Sequence, residues 1–375
     1  MFYSINRSQN KNVIASLTLL KAGLWEKDVR LLPSDIVDYA EVFRIAEEQA
    51  VVGLITAGIE HVTDAKVPQV IILQFVGQAL QIEQRNASMN KFIEWLIKKL
   101  QEAGINALLV KGQGIAQCYE RPLWRTCGDV DLLLDESNYD KAVSILTPFA
   151  SYLDKEDVKR KHFALSIDSW LVELHGTLRS ELGNRVDRMI DEIQDDTIKD
   201  GCNRIWQNGK TTVYLPCADS DVIFVFSHIL QHFFYEGIGL RQICDWCRLL
   251  WSFGGRIDIR LLEVRLQKMG LMSEWKSFAA LAVDWLGMPV EAMPLYSSSA
   301  KWRKNANRLL QIILDTGNFG NNRDMSYHNK YHPMVCKLIT LHYVTDLALR
   351  RTLLFPRCSF RTWFKLVSAR IKDIA

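Results

Sequence analysis

No stretch of this chain reaches the eighteen or more consecutive apolar residues of a membrane-spanning helix. The opening segment, Met1 to Leu20, interrupts with polar residues the apolar core that a secretory leader requires, so a cytoplasmic location is expected. A strong charge of either sign is also missing: 46 Lys and Arg stand against 43 Asp and Glu, a formal +3. Surfaces that track phosphate backbones are clustered and strongly basic, so this balance argues against a nucleic-acid partner. The 8 cysteines are scattered, mostly beside apolar neighbours, which suits reduced core thiols and not a disulfide framework. No repeat of fixed period and no low-complexity linker occurs. What is present is an ordinary globular composition, 48% hydrophobic and 24% charged, over 375 residues, a length suited to two or three domains.

Hydrophobic periodicity divides the chain. Up to about residue 104 apolar residues recur at three and four, as in Leu17, Leu20 and Leu24, or Phe92, Leu96 and Leu100, which is helical spacing. Gly104 ends that pattern. Short apolar runs then follow at Ala107–Val110, Val130–Leu134, Phe163–Ile167 and Trp170–Leu174, bounded by glycine and polar residues as buried strands are. Helices are expected between them at 115–119 and 138–146. Beyond Ala218 the helical period returns over 222–234, 240–251, 259–269, 275–286 and 306–314. The expected fold class is α+β, with an N-terminal helical region (1–104), a mixed-sheet core (105–217) and a C-terminal helical domain (218–375).

Chemistry concentrates in Lys111-Gly112-Gln113-Gly114 and in Arg125-Thr126-Cys127-Gly128-Asp129-Val130-Asp131. Side chains alternate along a strand, so Asp129 and Asp131 share a face, with their backbones roughly 7 Å apart. Two carboxylates so placed repel and demand a positive partner. A divalent cation such as Mg2+ (or Mn2+), held by carboxylates together with substrate phosphates, answers that demand. Lys111 is placed to neutralise phosphate, and Gly112 and Gly114 to let backbone N–H groups approach it. Gln117 stands where a dinucleotide fingerprint needs its third glycine, which rules that motif out.

The order of strand, Lys111-Gly112 turn, short helix, Pro122, Arg125, Gly128-Asp129-Val130-Asp131, helix, and then Val172-Glu173-Leu174-His175-Gly176 resembles the uncharacterised bacterial branch of the nucleotidyltransferase superfamily, whose fold is that of DNA polymerase beta. The resemblance implies that Gly112 is the turn glycine, that Asp129 and Asp131 hold metal, and that Glu173 is the third acid. Lys111, Gly112, Gln113, Arg125 and Gly128 would then bind nucleotide. Gln113 stands where the family usually has serine, and Glu173 where many members have aspartate.

His228 and His232 lie four apart on an apolar helix, so their rings share a side. Ile229 occupies the position of the zinc-protease glutamate. With His175, Arg241 and Asp245 they are assigned to the acceptor side of the cleft, and the resembling family often carries such a histidine helix followed by a Gly-Leu-Arg…Asp segment, here Gly239-Leu240-Arg241 and Asp245. From Arg350 onward, Arg351, Arg357, Arg361, Lys365, Arg370 and Lys372 interleave with Phe355, Phe360, Trp363 and Phe364, a basic amphipathic tail suited to peripheral membrane contact or to docking by its aromatic face. The expected activity is Mg2+-dependent transfer of a nucleoside monophosphate from a nucleoside triphosphate to a hydroxyl of a small-molecule or saccharide acceptor. The rival expectation is a catalytically degenerate nucleotide-binding or protein-interaction module, accessory to cell-envelope polysaccharide assembly.

Overall fold

A computed structural model describes residues 7–31, 37–158, 160–201, 203–322 and 326–372. Four helices open the chain: α1 (Arg7–Trp25), α2 (Tyr39–Glu48), α3 (Val52–Glu60) and α4 (Gln69–Glu102). The last has 34 residues, far longer than the Phe92–Leu100 pattern implies. Its second half buries Met89, Phe92, Ile93, Leu96, Ile97 and Leu100 against the sheet, while its first half leaves Val70 and Leu73 exposed. Gly23 of α1 and Gly58 of α3 let these two helices touch backbone to backbone, since a Cβ on Gly58 would lie 1.9 Å from the Leu19 carbonyl oxygen.

The middle of the chain builds one seven-stranded mixed sheet in the order β3-β4-β5-β2-β1-β7-β6. Its strands are β1 (Leu108–Val110), β2 (Asp129–Leu133), β3 (Tyr152–Leu153), β4 (His162–Ile167), β5 (Trp170–His175), β6 (Arg204–Asn208) and β7 (Thr211–Leu215). Helices α5 (Gly112–Ala116), α6 (Glu136–Leu146) and α7 (Asn184–Asp200) connect them. The α+β class and the strands at β1, β2, β4 and β5 agree with the sequence reading. The short helix begins three residues before the expected 115, because the chain turns directly out of β1 at Lys111 and Gly112, both with positive φ (59° and 39°).

One face of the sheet is apolar: Leu109, Val130, Leu132, Phe163, Leu165, Val172 and Leu174 pack beneath α4 and α6. The other carries the polar residues of β2 and β5 and faces the C-terminal helices α8 (Ala218–Tyr235) and α9 (Leu240–Phe253), which are followed by α10 (Ile259–Met269), α11 (Met272–Leu286) and α12 (Ala300–Thr316). Helix α8 is apolar almost all round, as a central helix must be. Phe226 stands between Trp246, Trp275 and Phe278 with centroid distances of 5.2, 4.9 and 5.8 Å. Residues of α1–α3 belong to the same apolar cluster as α8–α12.

The basic tail forms α13 (Pro333–Thr352) and α14 (Pro356–Lys372). Arg351 is buried and donates to the carbonyls of Phe234 (2.7 Å) and Glu236 (3.4 Å), closing the C-terminus of α8. Glu274 on α11 is buried, with Cys358 Sγ 3.7 Å from its carboxylate, and burial pushes its pKa from the usual 4.5 up to about 7. A carboxyl whose folded pKa is raised stabilises the fold fully below its unfolded value and loses that contribution as pH rises through the folded value. Wild type is therefore expected to lose about 2–3 kcal/mol between about pH 5 and about pH 8 that a Glu274→Gln variant keeps, measured by urea unfolding. Parallel pH profiles for the two proteins would refute the assignment.

Candidate active site

The register of the sheet assembles the acids. Strand β2 runs parallel to β5 with Asp131 opposite Glu173 and Leu133 opposite His175, and antiparallel to β1 with Asp131 opposite Val110. Directly opposed residues project to one face. Asp129, Asp131, Glu173 and His175 therefore gather on the side facing α8. β4 then pairs antiparallel to β5 and brings His162 opposite His175. His162 escaped the sequence reading, because the β4–β5 register places it and no motif marks it.

Lys111 follows directly after β1, and its Nζ reaches Asp131 Oδ1 at 2.8 Å. Its backbone (φ 59°, ψ −146°) is a conformation that favours glycine and costs a side-chain-bearing residue about 1–3 kcal/mol. The ion pair with Asp131 offsets that cost. Burial lowers the Lys111 pKa, but Asp131, Glu173 and Asp129 outweigh it and leave the pKa raised, so the group is a fixed cation.

Asp131 is buried; its Oδ1 accepts from Lys111 and lies 2.9 Å from His175 Nε2. Burial alone would raise its pKa; Lys111 and His175 reverse that and hold it below the usual carboxylate value. Glu173 Oε2 lies 3.3 Å from His162 Nε2 and 3.4 Å from His175 Nε2, and these partners likewise outweigh burial and hold its carboxyl low. His175 is raised despite burial, by Asp131 and then Glu173. Asp129 differs from all of these. Repulsion from Asp131, followed by burial, pushes its pKa up, and among the described residues its carboxylate has no hydrogen bond or ion pair. A part-exposed acid without a partner, beside a second acid and near a third, is an oxygen donor set that fits a divalent cation.

Two cavities meet at Lys111 and His228. One, about 50 Å³, is lined by Gly112, Arg125, Asp129, Asp131, Arg241 and Asp245 among others. The other, about 180 Å³, is lined by His162, Glu173, His175, His228, His232 and Arg160 among others. Gly128 precedes the pair with open space in front of it. Gly114, by contrast, serves packing: a Cβ there would lie 2.9 Å from Leu215 Cδ2, so the glycine lets α5 sit against β7.

Other predicted residues are placed unevenly. Gln113 is buried and turned away from the cleft, donating to Asn86 Oδ1 at 2.9 Å. Asn86 of α4 also donates to the carbonyls of Leu123 and Arg125, both at 2.7 Å, and so ties the Lys111 turn to the segment before β2. Arg125 is locked on Asp245 through two bonds of 2.7 and 2.8 Å, and Asp245 also accepts from Tyr119 Oη at 2.7 Å and meets Arg241 Nη1 at 3.4 Å. The Nε of Arg241 is buried without a partner. His228 has its pKa driven well below 6.5 by burial, then by Lys111 and His232, so its imidazole is neutral. Its ring meets that of His232 at 4.3 Å, and His232 Nδ1 lies 2.9 Å from Glu236.

The arrangement is a sheet face bearing three acids and a lysine beneath a histidine-bearing helix. A family model described as uncharacterised nucleotidyltransferase matches residues 35–287. That span is most of the chain, and the protein belongs to this family; nucleotidyl transfer is accordingly its enzymatic class. No curated protein and no solved structure matches the chain.

Proposed function

We propose that the protein transfers a nucleoside monophosphate from a nucleoside triphosphate to a hydroxyl of a small-molecule or saccharide acceptor, with a divalent cation, Mg2+ or Mn2+, held by Asp129, Asp131 and Glu173. The observation that carries this reading is Asp129: an acid packed against a second acid with no partner of its own. The cation would supply charge neutralisation of the triphosphate and of the oxygens exchanged at phosphorus.

The chain's own groups divide the remaining work. Lys111, released from Asp131 when a cation takes its place, would face the triphosphate, and the backbone at Gly128 leaves room for phosphate oxygens, whereas Gly112 is closed in by Cys127 Sγ and the Asp129 carbonyl. Arg241, with its Nε unpartnered, is better disposed toward phosphate than Arg125, whose guanidinium is spent on Asp245. Against burial, His162 and His175 hold the Glu173 carboxyl below the usual carboxylate range, which disfavours proton acceptance and favours a cation-holding role. The neutral His228 imidazole, facing both cavities, suits hydrogen bonding to the acceptor hydroxyl.

The direct test is pyrophosphate release with each nucleoside triphosphate, with and without Mg2+ or Mn2+, across a panel of hydroxylated acceptors. Cation-dependent release supports the reading. Tight triphosphate binding with no release under any acceptor would favour the nucleotide-binding module instead.

A second reading concerns location. Arg357, Phe360, Arg361 and Phe364 are all exposed and stand at i, i+3, i+4 and i+7 on α14, one face of that helix. Among the described residues no helix is long and apolar enough to cross a membrane. A basic stripe with two outward phenylalanines suits the surface of an anionic bilayer. Co-sedimentation with vesicles rich in anionic lipid is expected, with a loss of roughly tenfold or more in partitioning for a Phe360→Asp, Phe364→Asp double variant. Equal partitioning of wild type and variant would remove the reading.

A further inference from the structure

The carboxylate of Glu173 is flanked by two imidazoles. His162 Nε2 and His175 Nε2 approach the same oxygen, Glu173 Oε2, at 3.3 and 3.4 Å, and one ligand atom from each of the three residues lies within 4.8 Å of the others. That separation is close to what a single ion with metal–nitrogen and metal–oxygen bonds near 2.1 Å demands, after small side-chain shifts. His162 and Glu173 are part-exposed and His175 is buried, so the cluster has an open side toward the larger cavity and a fixed floor.

Charge favours a cation at this point. Asp129, Asp131 and Glu173 outnumber the single ammonium of Lys111. The guanidiniums lining the larger cavity already have carboxylates, Arg179 pairing with Asp191 at 2.6 Å and Arg160 with Glu181 at 3.7 Å; Arg241, on the smaller cavity, shares Asp245 with Arg125 and adds one positive charge, which still leaves the three acids in excess. His228 is neutral.

We infer that His162, Glu173 and His175 form a nitrogen-bearing site for a divalent cation of the first transition row, next to the Asp129–Asp131 pair and sharing Glu173 with it. Mg2+ prefers an all-oxygen shell, whereas imidazole suits the later transition ions, so two histidines beside one carboxylate favour Co2+ or Zn2+ most, with Mn2+, the weakest binder of the row, still accepting the imidazoles more readily than Mg2+ and serving as the spectroscopic probe. His175 Nε2 serves either Asp131 or a metal, so ion binding exchanges its hydrogen bonds for a metal–nitrogen bond. The proposal takes Glu173 from the transfer reading but does not need the reaction.

The experiment uses the full chain stripped by a chelator and loaded with Mn2+ alone, without nucleotide. Pulsed electron paramagnetic resonance is expected to show imidazole nitrogen coupled to the bound Mn2+. A His162→Ala variant is expected to weaken Mn2+ binding by roughly tenfold or more and to reduce the nitrogen coupling, while Mg2+ affinity changes far less. His232→Ala, a histidine of the same cavity outside the cluster, is expected to leave the coupling intact. Bound Mn2+ with an all-oxygen spectrum, no Mn2+ binding, or an unchanged spectrum in His162→Ala each overturns the proposal. If His162→Ala does not fold, the wild-type spectrum decides alone. Nitrogen coupling without pyrophosphate release sinks only the transfer reading, and release with an all-oxygen spectrum sinks only this one.

Discussion

Replacing Asp131 by Asn is expected to reduce turnover on the order of a hundredfold or more, a loss of about 2.7 kcal/mol or more of transition-state stabilisation. Asp131 lies at the centre of the cluster: Lys111 and His175 both spend contacts on it, and it faces Glu173 across the β2–β5 pair. Removing its charge takes away a proposed cation ligand and leaves the ammonium of Lys111 with weaker compensation. It also relieves Asp129, whose pKa is raised first of all by Asp131, so the Asp129 carboxyl should titrate lower in the variant. Kinetics should be read beside the thermal midpoint, because a buried carboxylate hydrogen-bonded on two sides also supports the fold. A folded variant with undiminished, still cation-dependent turnover would count against the role of Asp131.

Asp245→Ala is expected to have the largest effect on stability, about 3–5 kcal/mol, since removing one partner of a buried ion pair leaves the other charge uncompensated. Here the cost falls on Arg125, whose bidentate partner it is, with Arg241 and the Tyr119 hydroxyl losing contacts as well. The side chains of Arg125 and Asp245 are only 3% and 7% exposed, so water has little access to replace the lost carboxylate. Chemical denaturation measures the cost. A loss below about 1 kcal/mol would mean that solvent reaches the guanidinium and that the lock is not structural.

The sequence made the central strands legible because burial of one sheet face leaves a signature: apolar runs end where polar residues take over the opposite face. The Asp129–Asp131 pair could be read for the same reason, since alternation fixes their common side. Its junction with Glu173 depends on parallel pairing across the 41 residues between Asp131 and Glu173, and only the resemblance supplied that expectation. His162 depends on the antiparallel register of β4 with β5, which no local pattern encodes. The β6–β7 hairpin was missed despite an Asn208-Gly209 dipeptide at its turn, with Gly209 at φ 58°. Helix α7 was missed although Val186, Met189, Ile190 and Ile193 form a buried stripe at helical spacing.

Gln113 illustrates how a motif position and a side-chain role can part company. The backbone turns at Lys111 and Gly112 directly after β1, but the Gln113 amide reaches back to Asn86, the residue that also fastens the Arg125 segment. Long helix α4 thus holds two pieces of the site in register, a function that the periodicity of its apolar face does not reveal. The tail is similar in kind: Arg351 is buried as a cap on α8, whereas Phe360 and Phe364, the residues that hydrophobicity would place inside, face outward.

Asp129, Asp131 and Glu173 are proposed to hold a cation together in front of a bound triphosphate. A crystal of the protein grown with Mn2+ and a non-hydrolysable nucleoside triphosphate tests it directly through the anomalous signal of the metal. A peak coordinated by Asp129 and Asp131, with Glu173 within its shell and phosphate oxygens completing it beside Lys111, is the predicted result. Triphosphate bound away from these acids, or Lys111 still on Asp131 with no metal peak, would contradict the account.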